Sequence, residues 1–197
     1  MGWSNKKKRG RPKATVQKWD YGNDRVQGRV EMFRHFRGES SIGHEMSCAG
    51  RLMLVGAFDG MPEPPESILS ALLEYANGYW GNYGGGPKIA SYERQDRTQD
   101  SGSQIQPDPR GQWFEAMDAR LRDAGHATRL AVHAVTVDRH WFPDEDVSWA
   151  SRIINSRFVA EKMPVAGELA CDSDWAMLEL LRAGAMALVG QGMRRAA

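Results

Sequence analysis

From Pro65 onward the large apolar residues fall at Ile68, Leu69, Leu72, Leu73, Ala76, Tyr79, Trp80 and Tyr83. Spacings of three and four over a run of this length describe one face of a helix, whereas the inward residues of a strand recur at every second position. Pro65 suits the first turn, where a missing N–H costs nothing, and Glu66 suits the positive end of the helix dipole. Gly84, Gly85, Gly86 and Pro87 end the segment. An apolar stripe this broad has to be buried against other elements, so the segment demands a core around it.

The rest of the chain supplies partners of the same kind. Residues 24–37 put Val26, Val30, Phe33 and Phe36 on one stripe, with Asp24 as cap and Gly38 just past the end. A second helix is expected over residues 47–58, carrying Leu52, Leu54 and Val55 and stopped by Asp59-Gly60 and the prolines Pro62, Pro64 and Pro65. Farther on, Trp113, Phe114, Met117 and Leu121 precede Gly125, and a helix with Ala127, Leu130, Ala131, Ala134 and Val135 follows it. A short helix carries Val147, Ile153 and Ile154. Asp172, Ser173 and Asp174 cap a last helix through Trp175, Leu178, Leu181, Ala185 and Leu188, ended by Gly190. Only residues 134–137 (AVTV) are enriched in β-branched side chains, and they continue a helical pattern. The expected fold is therefore all-α, a compact domain of about six helices. A helix-turn-helix-like unit is expected in its second half around Gly125 and Pro143, with Arg120, Arg122, Arg129 and Arg139 as DNA backbone contacts.

At 197 residues the chain has room for one ordinary core. Residues 93–110 (ERQDRTQDSGSQIQPDPR) are polar and without period, and read as a flexible loop between helical subdomains at 24–92 and 111–197. Residues 1–23 lack any period and read as a disordered basic arm. The formal net charge of +1 hides an asymmetry: residues 1–13 hold six basic side chains and no acid, while residues 14–197 carry 20 basic against 25 acidic. The concentrated positive potential lies in the arm, and the body is net acidic.

Residues 6–13 read KKKRGRPK. A narrow A·T minor groove has enhanced negative potential and presents adenine N3 and thymine O2 acceptors at its floor. Arg9 and Arg11 are suited to run along that groove in opposite directions. Gly10, without a Cβ, lets the backbone reach the floor, and the exocyclic amino group of a G·C pair obstructs the same approach. Pro12 fixes its own φ and favours an extended Arg11, lowering the entropy lost on docking. Lys6, Lys7, Lys8 and Lys13 are placed for phosphates, which position the arm without reading sequence. The Arg9-Gly10-Arg11-Pro12 core with these flanks resembles the AT-hook of high-mobility-group A chromatin proteins and of various bacterial and phage regulators. The resemblance spans about eight residues and implies A·T-rich DNA as partner. A bare Lys/Arg octamer also suits a localisation signal, an RNA-binding arm or a solubilising tail; the Gly-Arg-Pro order favours DNA.

Around ALLEYANGYWGNYG and DRHWFPDE the body loosely resembles prophage proteins of alphaproteobacteria. That resemblance carries no established activity, and implies a phage DNA-packaging small subunit or a phage transcription factor. Other chemistry is not expected. Cys48 and Cys171 lie 123 residues apart with no CxxC pair, and the five histidines show no zinc-ligand spacing with them, so no metal or disulfide framework follows. No run of apolar residues is long enough to span a membrane. A reduced, cytoplasmic, soluble protein without cofactor is the plain reading. Asp138, His140, Asp144, Glu145 and Asp146 could be drawn as a nuclease site, but adjacent acids in a Pro-containing loop are expected to face solvent. Tyr75, Tyr79, Trp80 and Tyr83 could stack bases, but they continue the apolar stripe of their own helix. The expected function is thus non-enzymatic DNA binding in a regulator or packaging accessory. In that reading the helical body supplies homo-oligomerisation or further DNA contact; the alternative is an assembly subunit whose 175–188 helix docks a larger protein partner, with the basic arm serving as a tether.

Overall fold

The structure, a computed structural model, describes residues 28, 31–35, 44–83, 109–137 and 146–189. Among the described residues there is no strand. Besides a helical stretch at 31–35 and a 3₁₀ turn at His44–Met46, the elements are α1 (Cys48–Leu54), α2 (Pro65–Tyr83), α3 (Pro109–Asp123), α4 (His126–Thr136), α5 (Ser148–Ala160) and α6 (Asp172–Val189). The helices of the sequence reading are all present where the chain is described.

Two boundaries differ from expectation. Ser47 caps α1, its Oγ accepting from Gly50 N at 3.0 Å, but the helix ends at Leu54 and not at Phe58. Gly56 takes φ +75°, and the bonds Gly56 N to Met53 O and Ala57 N to Leu52 O, both 2.9 Å, close a Schellman turn. The glycine that stops the helix thus precedes Asp59-Gly60. α3 in turn begins at Pro109, inside the stretch read as a loop, with proline at the first helical position. The remainder of that loop, residues 93–108, lies outside the described residues.

α6 is the axis of the fold and packs against α2, α3, α4 and α5. Its buried stripe comprises Leu178, Leu181, Gly184, Ala185, Leu188 and Val189. The apolar face expected to dock a partner is therefore spent inside the molecule. The tightest approach is to α4: a Cβ on Gly184 would stand 2.5 Å from Val132 Cγ2 and 3.0 Å from Thr128 Cγ2. Ala124 and Gly125 turn the chain between α3 and α4, and Gly125 adopts φ +115°. The same close packing joins α2 to α3, where Gly78 lies against Phe114. Phe33, fully buried, meets Phe158 of α5 with ring centroids 5.2 Å apart and ties the 31–35 stretch to the core. Apolar side chains from before and after residues 84–108 thus share one core.

Candidate functional site

The arm residues Lys6, Lys7, Lys8, Arg9, Gly10, Arg11, Pro12 and Lys13 lie outside the described residues. The structure does define what the cations of the helical body do, which bears on where DNA contact can come from.

Arg51 sits in the middle of α1 and is fully buried. Its Nε and Nη2 donate to Asp146 Oδ1 at 2.8 and 2.6 Å, and its Nη1 donates to the carbonyl of Glu45 at 2.7 Å. The Asp146 side chain is 1% exposed. This corrects the expectation that the acidic loop faces solvent: its last carboxylate neutralises a buried guanidinium. Asp138, His140, Asp144 and Glu145 lie outside the described residues. Cys48 lies in the same environment, where burial first and the Asp146 carboxylate second push its thiol well up, so it stays a neutral apolar filler.

A second polar cluster joins α2, α3 and α4. The Tyr75 hydroxyl donates to Asp118 Oδ1 at 2.8 Å and lies 2.7 Å from His133 Nε2. A phenol has one proton, so with that proton on the Asp118 bond the His133 contact takes its hydrogen from Nε2. Asp118 also accepts from Arg129 Nε and Nη2 at 3.0 and 3.2 Å, and pairs with Arg122 Nη2 at 3.0 Å. Burial raises the Tyr75 pKa, with the Asp118 hydrogen bond and charge adding to it, so the phenol remains a neutral donor. For Asp118 burial acts upward, but the Tyr75 bond and the Arg129 charge outweigh it and hold the carboxyl below its ordinary range. Arg122 and Arg129, both expected on a DNA backbone, are engaged with this one carboxylate. Arg120 is half-buried on α3, and Arg139 lies outside the described residues. The outward positions of α4 are His126, Ala127 and Leu130, a poor set for reading base edges.

The aromatic residues of α2 surround this cluster. Tyr75 is buried and stacks on Phe114 at 5.4 Å, while Tyr79 meets the His133 ring at 5.3 Å and Phe114 at 6.2 Å. Tyr79 and Trp80 are half-buried, so three of the four aromatics serve packing; Tyr83 is 62% exposed and continues the same contacts outward.

The third cluster fixes the start of α6. Asp174 accepts from Arg152 Nε and Nη2 at 2.8 and 2.7 Å and from the backbone N of Cys171 at 3.0 Å, the reaching-back half of a capping box. The cap expected at residues 172–174 is therefore supplied by Asp174, which also anchors α5. The Arg152 bidentate bond, opposed by burial and assisted by the Cys171 N–H, holds the Asp174 carboxyl far below its usual range. A carboxylate with a lowered folded pKa adds stability above its unfolded value, and that stability disappears as pH falls through the folded value. The urea midpoint should accordingly be level from pH 7 to about 5 and fall below about 4, where unperturbed carboxylates begin to protonate. In Asp174→Asn the acid decline should be shallower; an unchanged slope would count against this cluster as a source of acid sensitivity.

Among the described residues no group of three His, Cys, Asp or Glu side chains could hold a metal ion, and no helix is long and apolar enough to cross a membrane. The buried partners of Arg51 and Arg129 are what the sequence reading missed. Asp118 and Arg122 stand at i, i+4 on α3, and Arg51 interrupts the apolar run of α1. Those two signals were available. No family model matches the chain, and comparison with curated proteins and with solved structures finds no significant similarity.

Proposed function

We propose that this chain is a non-enzymatic DNA-binding protein whose N-terminal arm docks in A·T-rich minor groove, acting in the cytoplasm at the nucleoid as a phage or bacterial regulator or a DNA-packaging accessory. The observation that carries the reading is the Arg9-Gly10-Arg11-Pro12 core flanked by Lys6, Lys7, Lys8 and Lys13, in a chain otherwise net acidic. What supports it from the body is the state of the arginines there. Arg34, Arg51, Arg122, Arg129, Arg152 and Arg182 are each paired with a carboxylate of the protein itself. These six guanidiniums are at least partly satisfied within the protein, and the densest positive charge of the sequence is the arm, with six basic residues in its first thirteen.

One arm of this size binds weakly by itself. Useful affinity comes from raising the effective concentration, through self-association or through a second protein on the same DNA. With about five phosphates neutralised, log affinity should fall against log salt with a slope of roughly −4 to −5. Gel-shift titrations of the intact chain and of a chain beginning at Ala14, on A·T-rich and G·C-rich duplexes, test this. The intact chain should prefer A·T-rich duplex and be displaced by a small minor-groove ligand, and the shortened chain should lose both the preference and most of the affinity. Equal affinity of the two chains would overturn the proposal.

A further inference from the structure

Between Gly38 and Pro87 the only lysine or arginine is Arg51, and its guanidinium is fully buried on Asp146. α2 therefore carries acid without base. Its solvent side runs through Glu66, Ser70, Leu73, Glu74, Asn77 and Gly81, all exposed and spaced by three and four residues, so they share one face. No ion pair engages Glu66 or Glu74 among the described residues. Leu73 places an exposed apolar side chain in the middle of that face, and the half-buried Trp80 and the exposed Tyr83 continue along its edge toward the C-terminal end. Such a face complements a segment of several cations with an apolar residue among them, because carboxylates and aromatic rings both attract ammonium and guanidinium groups.

Residues 1–13 are a segment of that kind, with six basic side chains, no acid, and Trp3. Residues 14–28 join it to the body and span up to about 50 Å if extended, against about 28 Å for the whole of α2. Tethering keeps the arm at high local concentration, so contacts that are each weak between separate molecules suffice to hold it. We propose that the N-terminal arm docks on this face of α2 when no DNA is bound, with its lysines and arginines on Glu66 and Glu74 and on the rings of Trp80 and Tyr83. The body then competes with DNA for the arm, a consequence that rests on the reading of the arm as the DNA contact. Only a released arm enters the groove, so the apparent dissociation constant is the intrinsic one divided by the released fraction, for A·T-rich and G·C-rich duplex alike.

The test uses the full chain with a nitroxide on Ser4→Cys in a Cys171→Ser background, Cys48 being buried. At low salt and without DNA, amide signals of residues 66–83 should broaden more than those of exposed positions on α3 and α5. The broadening should vanish in Glu66→Lys/Glu74→Lys and in about 0.5 M salt. Even broadening over the whole surface, persistence in the charge-reversed variant, or broadening seen only between spin-labelled and isotope-labelled chains in a mixture, which puts a second copy's arm on the face, overturns the proposal. In gel shifts Glu66→Gln/Glu74→Gln should bind both duplexes at least about threefold tighter with the A·T preference unchanged. Glu115→Gln/Asp123→Asn, the same charge change at exposed positions of α3, should alter affinity less, and an equal gain in the two variants overturns the competition. The broadening is read without DNA, so failure of the arm to bind α2 and failure of the arm to bind DNA are separately visible.

Discussion

Arg51→Ala is expected to lower the unfolding free energy by about 3–5 kcal/mol, read from urea titrations at pH 7. The magnitude follows from what is left behind. With Arg51 fully buried and Asp146 nearly so, removing the guanidinium strands a carboxylate in a site that water does not reach, and the Glu45 carbonyl loses its donor too. The pair as a whole is another matter. Desolvating two ions consumes much of their mutual attraction, so exchanging both for apolar residues of similar size, as in Arg51→Met with Asp146→Leu, should be far less damaging than either change alone. A loss below about 1 kcal/mol for Arg51→Ala would show that solvent reaches Asp146 and that the pair is not buried as described.

Gly184→Val should destabilise by about 2–3 kcal/mol, and Gly184→Ala by less. An ordinary glycine inside a helix is a weakness, and alanine there gains roughly 0.5–1 kcal/mol. At Gly184 the sign reverses because a Cβ would meet Val132 Cγ2 at 2.5 Å. Val132 cannot simply rotate away, since a β-branched side chain in a helix is confined almost entirely to one rotamer. The helices must then separate, loosening the contacts of Leu181 and Ala185 beside it. Differential scanning calorimetry of the two variants against the wild type is the measurement. A stabilised Gly184→Ala would mean that α4 and α6 lie farther apart than this packing requires.

How much of this was legible beforehand depends on the range of the interaction. α2 was readable because its period, its opening proline and its closing glycines all agree within one segment. The end of α1 was misplaced because Gly56 looks like a tolerated interior glycine until its positive φ is known; nothing local distinguishes it from Gly50 in the same helix. The cap at Asp174 is a local pattern and was found, while its bond to Arg152 of α5 was not. Arg51 and Asp146 are 95 residues apart, and no periodicity relates residues brought together only by the packing of their helices. For the same reason Arg122 and Arg129 read as DNA contacts in one dimension and pair with Asp118 in three, Arg129 through two nitrogens and the more exposed Arg122 through one. The basic arm is the opposite case: its chemistry is contained in eight consecutive residues and needs no tertiary partner to be read.

The position of α6 also bears on how the chain reaches its folded state. Each of α2 to α5 rests part of its apolar face on a segment that follows it in the sequence. During synthesis these helices leave the ribosome before the surface that covers them exists, and the core cannot close until Asp172–Val189 has emerged. Nascent chains stalled upstream of Asp172 should therefore remain protease-sensitive and dependent on holding chaperones, and the gain of resistance should come abruptly, within the length of that one helix.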